Sequence, residues 1–429
     1  MQNDSSISLF WKKTSDWLFD RQKILLLFTI VLLGAFGISA VYRTGISKKQ
    51  RGDLPVFVRG AEAAVEGTNI YDAKTIRQWN YVYLPLLAVS LMPMVHAPMA
   101  LTALLWYLLS AAALCASFRL AQNLFGDPKR GFEAALLAMI LCLPSFLNTL
   151  TRGQLGVLTV FLGLLVFQLY DRRRDFLAGF LLAFAVILKT TPLAPLGLYF
   201  LIKREWKVVA GGIAGTACFL FLIPSLAVGW EKNWYYLLEW LRVMQESVST
   251  KAHEGMLWAQ LVTPMASDNQ SLYAVLARMV FPDEASMIAR PDHPLRLGVR
   301  LFSVGMLAPL IFLGLPGRNR ISRSRLLTEF SLFAFWMTLA SPVAEAHHFT
   351  VVLLMNLALL LRLQDPGMSS GRRRLELAAL LGCGAAYLAG LISEPLAYIG
   401  LPFWGSAVLW FVLFAGLLEH PPALTPQKV

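Results

Sequence analysis

An all-α, polytopic bundle of about 11–13 membrane helices, two of them paired as a short helical hairpin, is the fold the sequence predicts. Three observations carry it. The 429 residues are 57% hydrophobic and only 15% charged, and mean hydropathy is +0.58, too apolar for soluble domains of that length. Uninterrupted apolar runs recur from Lys23 onward, many approaching the roughly 20 residues that a helix needs to cross hydrocarbon. The basic residues cluster in short connections between those runs, as cytoplasmic retention requires.

The first run, Ile24 to Val41, follows Lys12, Lys13, Arg21 and Lys23 and reads as a retained signal anchor, because it is long and has no clear small-residue cleavage site. A net charge of +12 would suggest nucleic acid in a soluble chain; here membrane topology explains it, and no nucleic-acid partner is expected. Cys115, Cys142, Cys218 and Cys383 all fall inside apolar runs without metal-ligand spacing and read as packing residues.

Lys129-Arg130, Arg172 to Arg174, Lys203-Arg204 with Lys207, Arg318 through Arg325 and Arg372 to Arg374 serve as inside markers. The single apolar stretch from Phe176 to Ile202 lies between two of them, so it must enter and return as a hairpin. Its turn falls at Lys189-Thr190-Thr191-Pro192, where proline ends a helix. Parity also makes Tyr81 to Val95, with Pro85 and Pro93, a partial or interfacial segment rather than a crossing. The remaining helices are expected near 23–42, 98–118, 132–149, 155–170, 206–226, 297–315, 326–342, 348–362, 375–393 and 402–418, with both termini inside. The whole chain, 1–429, reads as one membrane domain with long outer loops at 43–80 and 229–296, the second opening on an aromatic stretch, Trp230 to Trp240, suited to a membrane surface.

On this path five polar clusters share the outer side: Arg51 to Asp53, Arg152-Gly153-Gln154, Lys189 to Pro192, Asn269-Gln270-Ser271 and His347-His348. Ionisable groups at membrane depth are functional candidates by default. Asp53 could deprotonate an acceptor hydroxyl, although position alone also fits a solvated loop acid. Lys189 could hold a phosphate or merely snorkel from a helix end. Arg152, His347 and His348 are further phosphate ligands, and Gln154, Asn269, Gln270 and Arg59 are candidates for substrate hydroxyls and phosphate. No Gly-rich phosphate loop, dinucleotide fingerprint or paired-His zinc motif is present, so no nucleotide or metal cofactor is expected.

The ordered pieces Asp53-Leu54-Pro55-Val56-Phe57, Gly67, Tyr71-Asp72, Tyr83-Leu84-Pro85-Leu86, Gly153-Gln154, Lys189 with Pro192, Asn269-Gln270-Ser271 and Ser341-Pro342 before His347-His348 resemble the bacterial polyprenol-phosphate-mannose-dependent mannosyltransferases, glycosyltransferase family 87, with a C-type glycosyltransferase fold. Phe57, Leu84, Gly156 and Glu345 depart from that pattern; Glu345 stands near where Trp is common. The resemblance implies a polyprenyl-phosphate-sugar donor, a lipid or glycan acceptor, Asp53 as the base, the paired-His region as a donor-phosphate site, inversion at the anomeric carbon and no essential metal. It also implies a multi-pass enzyme of the inner (plasma) membrane, among membrane lipids, with its site on the outer face. A transporter or flippase of lipid-linked sugars would instead predict repeated halves, and the Lys189 hairpin has no counterpart after residue 297.

Overall fold

The computed structural model describes residues 20–47, 52–75, 79–248, 263–290, 293–315 and 317–419. Among these the regular elements are helical, and the β structure is a single bridge between Lys74 and Asn80. In chain order the first half holds α1 (Gln22–Val41), α2 (Leu54–Glu66), α3 (Pro85–Leu91), α4 (Met99–Gln122), α5 (Pro128–Leu141), α6 (Leu143–Arg152) and α7 (Gly156–Asp171). The hairpin region follows as α8 (Asp175–Leu188), α9 (Thr190–Leu193), α10 (Pro195–Ile202), α11 (Trp206–Thr216) and α12 (Ile223–Val228). Then come α13 (Trp230–Val248), α14 (Leu272–Val280), α15 (Glu284–Ile288), α16 (Leu295–Gly314), α17 (Arg323–Ala340), α18 (Val352–Arg362), α19 (Ser370–Ile392), α20 (Glu394–Tyr398) and α21 (Leu401–Glu419).

Among the described residues six spans are long and apolar enough to cross a membrane: Leu27–Ile46, α4, Trp206–Val228, α16, α19 and α21. They expose large apolar side chains, among them Ile30, Leu108, Leu226, Leu301, Phe312 and Leu391, as lipid-facing helices do. The shorter α7 and α18, with α17, are instead buried on most faces. A helix too short to cross hydrocarbon alone has backbone ends that lipid cannot satisfy, so it belongs where protein surrounds it. Together with the bent α5–α6 pair and the hairpin, these helices account for every one the charge pattern predicts.

The hairpin is real, and its packing shows the chain reversal. Gly211 lies against Phe176 and Gly215 against Phe180, so α8 and α11 run in the same direction and residues 190–202 must return between them. Arg318 closes the base, bonding Asp175 at the start of α8 (Nη1–Oδ1 2.8 Å, Nη2–Oδ2 3.0 Å) and approaching Glu205 after α10 (3.5 Å). The turn breaks at Lys189, which is extended (φ −152°, ψ 104°), and again at Thr191 (ψ 132°), before Pro192.

The basic connections collect at this same end. Lys203 and Arg325 both pair with the buried Glu329 (2.7 and 2.9 Å), Arg362 and Arg372 with the buried Glu376 (2.8 and 2.9 Å), and Arg323 with Asp171 (2.8 Å). Each buried carboxylate has two cations, which offsets the desolvation that would otherwise make it costly.

Two expectations change. The helix foreseen at 132–149 is broken between α5 and α6 by a 63° bend. Pro144 explains it: a proline near the start of α6 donates no hydrogen bond and cannot sit inside a continuous helix. The segment read as the first long loop, 43–80, contains a buried helix, α2, that hydrophobic periodicity does not separate from loop. Tyr81 to Val95 is short as expected, α3 continuing as a 3₁₀ turn through Met92–Met94, and it packs against α2 and α12.

The α8–α11 contact leaves no room for side chains at Gly179, Gly211 and Gly215. A Cβ on Gly179 or Gly211 would strike the carbonyl oxygens of Val208 and Phe176. Gly211→Val should therefore cost about 1–3 kcal/mol of stability by overpacking, read as a lower thermal midpoint of the detergent-solubilised protein. Gly212→Ala, where the nearest atom outside the helix is Gly179 O at 3.8 Å, should leave that midpoint unchanged or raise it.

Candidate active site

The bend between α5 and α6 directs the end of α6 toward the loop that opens α2. There the two chains touch through backbone: Asp53 N donates to Arg152 O (2.6 Å). Such closeness requires glycine on both sides. Gly52 has φ +114°, and a Cβ on it would lie 2.6 Å from Arg152 O; Gly153 has φ +66° and sits against Leu54. Trp106 fixes the turn by donating Nε1 to Gly153 O (2.9 Å).

Asp53 is the N-cap residue of α2, a position where aspartate ordinarily accepts from its own helix. It makes no such side-chain bond. Its carboxylate instead receives Arg152 Nε at 3.0 Å, with the residue 8% exposed. The other edge of the same guanidinium, Nη1, bonds Glu345 Oε2. One cation thus holds two carboxylates from distant parts of the chain.

Glu345 opens the 3₁₀ helix Ala346–Val351 and is locked to it by a reciprocal cap. Glu345 N donates to His348 Nδ1 (3.0 Å), and the Glu345 side chain accepts from His348 N. Burial pushes the Glu345 carboxyl above its ordinary range, while Arg152 pulls it back down. His347 is buried, its ring 4.1 Å from that of His348, and among the described residues its Nδ1 has no hydrogen-bond partner; Glu345 Oε2 is 3.7 Å away.

Lys189 completes the cluster from the hairpin tip. Although 95% buried, as its 5% exposure shows, it donates to a neutral acceptor, Gln154 Oε1 (3.3 Å). That oxygen also receives Tyr83 OH (3.2 Å) and Leu155 N (3.3 Å), so Gln154 ties the α6–α7 turn to the hairpin and to the first loop. Burial raises the Tyr83 phenol, which keeps it a neutral donor. Asp53, Glu345, Lys189 and Arg152 all lie within electrostatic range of one another. The site can therefore offer a carboxylate, two cations, imidazoles and an amide to one substrate group.

Of the residues singled out from sequence, Asp53, Arg152, Gln154, Lys189, His347 and His348 converge. Asn269 and Gln270 stand beneath them as a brace. Asn269 Nδ2 donates to Pro342 O (3.2 Å) and its Oδ1 accepts from Ala344 N (3.2 Å), Gln270 N donates to Ala344 O (2.7 Å), and Ser271 Oγ donates to Pro342 O (2.9 Å). Gln270 Nε2 is taken by Ser267 O and Ala397 O (2.6 and 2.7 Å). These amides hold the segment that presents Glu345. Arg59 is exposed on α2 and pairs with Glu62 (2.6 Å). Arg51 lies outside the described residues.

Sequence reasoning did not assign roles to Glu345, Tyr83 or Asp268, a charged neighbour of Arg152 and Glu345. Glu345 had one signal, its departure from the resemblance beside a His pair. Among the described residues, no three His, Cys, Asp or Glu side chains are grouped to hold a metal ion.

A polar site recessed into one end of an all-helical, multi-pass membrane bundle is compatible with a membrane enzyme of group transfer. Residues 81–342, more than half of the chain, match the model of glycosyltransferase family 87, and the chain belongs to that family. It is similar to curated relatives. A Mycolicibacterium smegmatis protein named polyprenol-phosphate-mannose-dependent alpha-(1-2)-phosphatidylinositol pentamannoside mannosyltransferase is 31% identical over 164 residues, 37% of this chain and 39% of its own length. A Mycobacterium tuberculosis protein of the same name is 26% identical over 381 residues, 85% of this chain and 78% of its own. A third, from the latter organism and named for a phosphatidylinositol mannoside, is 24% identical over 255 residues, 54% of this chain and 55% of its own. The chain thus spans well under two thirds of two of these three relatives.

The brace gives a direct test. Asn269→Ala leaves Pro342 O and Ala344 N without these partners, so it should cost about 1–3 kcal/mol locally. Hydrogen exchange should show Ala344 and the 3₁₀ helix opening faster, while the amides of α8 and α11 keep their wild-type protection.

Proposed function

We propose that this chain transfers a mannosyl residue from polyprenyl-phosphate-mannose to a hydroxyl of a lipid or glycan acceptor, on the outer face of the plasma membrane and with inversion at the anomeric carbon. Family membership and the donor in the relatives' names support the reaction. The observation that carries the site assignment is the forgone cap: a buried carboxylate at the start of α2 that turns away from its own helix to share Arg152, beside Lys189 and the His pair.

In this reading Asp53 takes the proton from the acceptor hydroxyl as that oxygen forms a bond to the anomeric carbon. The bond from that carbon to the phosphate oxygen breaks on the opposite face, and the electron pair leaves with the polyprenyl phosphate. Arg152, Lys189 and the imidazoles of His347 and His348 stabilise the phosphate as its charge grows, and Gln154 orients hydroxyls. Fixed donors do this without reorganising during the reaction, which is why a partly dry recess suits it.

An apolar groove beside the hairpin suits the lipid tail. A groove of ≈ 520 Å³ runs between α8, α10 and α11, lined by Leu182, Val186, Ala194, Gly197, Phe200 and Ile213 among others. Val186 and Ala194 stand on either side of the Lys189 break, so a chain in the groove would deliver its phosphate to that lysine. The loops 43–80 and 229–296 would cover the site from outside, with the basic connections and both termini in the cytoplasm.

Membranes with matched amounts of wild type or Asp53→Asn decide the assignment, using radiolabelled polyprenyl-phosphate-mannose and endogenous lipid acceptor. Loss of the general base should lower transfer about 10²–10⁴-fold. Equal transfer by both proteins would remove Asp53 from the mechanism, and no transfer by wild type would overturn the proposed donor or acceptor.

A further inference from the structure

Arg152 presents two edges, and both are occupied by the protein itself. Nε is held by Asp53 at 3.0 Å and Nη1 by Glu345. A phosphate that grips this guanidinium through two parallel N–H bonds, Nη2 and one neighbour, has to replace one of them, because each two-donor edge already holds a carboxylate. Replacing Asp53 would set the phosphate where the base works. Replacing Glu345 would leave the base where it is and put the phosphate beside His347 Nδ1, the buried ring nitrogen that has no hydrogen-bond partner among the described residues. That nitrogen is 3.7 Å from the Glu345 oxygen, too far to be satisfied by it.

The count of charges points the same way. Three carboxylates, Asp53, Glu345 and the exposed Asp268, lie around Arg152, against one guanidinium and the amine of Lys189. A phosphodiester adds a further anion to that set. Glu345 is also the carboxylate with room to leave: 21% of its side chain is exposed, against 12% for Asp53.

We infer that Glu345 is a displaceable stand-in for the donor phosphate, occupying the Nη1 edge of Arg152 and the space beside His347 until the phosphodiester takes both. The inference rests on the donor reading above. When the carboxylate swings out, its cap with His348 N opens while the bond from Glu345 N to His348 Nδ1 remains, since the latter is made by backbone. Glu345 is then a competitor that weakens donor binding and, equally, eases departure of the polyprenyl phosphate product. A carboxylate that kept Arg152 Nη1 throughout would repel the phosphodiester without ever giving up its place.

The test is donor binding by the full-length, detergent-solubilised protein without acceptor. The probe is a short-chain prenyl phosphomannose, and a neutral prenyl mannoside is the control, both measured by calorimetry. Glu345→Gln keeps an oxygen able to cap His348 but loses the charge, and should bind the phosphodiester about tenfold more tightly than wild type. Glu345→Ala, which removes the competitor and the cap together, should also exceed wild type, and serves if the glutamine variant fails to fold. The neutral mannoside should show no gain. Binding by wild type with no gain in either variant, or an equal gain for the neutral probe, would overturn this inference alone. Failure of every protein to bind the phosphodiester would overturn the donor reading and this inference with it.

Discussion

The guanidinium of Arg152 is the constraint on which the site depends. Its two partners lie 99 and 193 residues away in sequence, so one side chain pins the start of α2 and the approach to the 3₁₀ helix to the end of α6. Without the cation, Asp53 and Glu345 would face each other as unpaired carboxylates in a partly dehydrated recess, and unpaired charge there is far more costly than a lost contact. The backbone is shaped to permit the arrangement. Gly52 and Gly153 adopt conformations other residues resist, and the bend before Pro144 turns α6 out of line with α5.

A second set of ion pairs governs the opposite end of the bundle. Glu329 and Glu376 are each held by two cations, and Arg318 bridges the first and last residues of the hairpin. The two ends therefore solve the same problem differently. At the basic end cations outnumber buried carboxylates and the helices are fastened; at the site carboxylates outnumber cations and one carboxylate is held only as long as nothing better arrives. Rigidity at one end leaves motion, if a ligand demands it, to the other.

Most of the path was legible in the sequence because it follows from charge and length. The clusters at Arg172 and Lys203 on either side of one apolar stretch required a reversal, and Pro192 located it; Arg318 touching both Asp175 and Glu205 is the structural form of that parity argument. Asp53, Arg152, Lys189 and the His pair were recoverable as polar residues stranded at one membrane face. What escaped were features set by tertiary contacts. Pro144 was visible, but whether a proline ends, kinks or merely starts a helix depends on what receives the next turn. Helix α2 reads locally as loop because its burial comes from α3 and Trp106 rather than from an apolar run long enough to notice. Asn269 and Gln270 carried a polar signal, yet their side chains bond backbone, Pro342 O and Ala344 N for Asn269 and Ser267 O and Ala397 O for Gln270, which no pattern of side chains announces.

The length of α8 sets a depth. Fourteen residues rise about 21 Å, whereas the hydrocarbon is about 30 Å thick, so Lys189 stops well short of the level that the long helices reach. A charged headgroup meeting that lysine need not be lifted out among the waters above the bilayer; it stays near the plane where its own tail is anchored, and the protein brings polar surroundings down to it. On the proposed reaction the acceptor has the opposite task, since its hydroxyl would have to descend into the recess. Reach below the surface, rather than recognition above it, then becomes the first filter on which molecules can be modified.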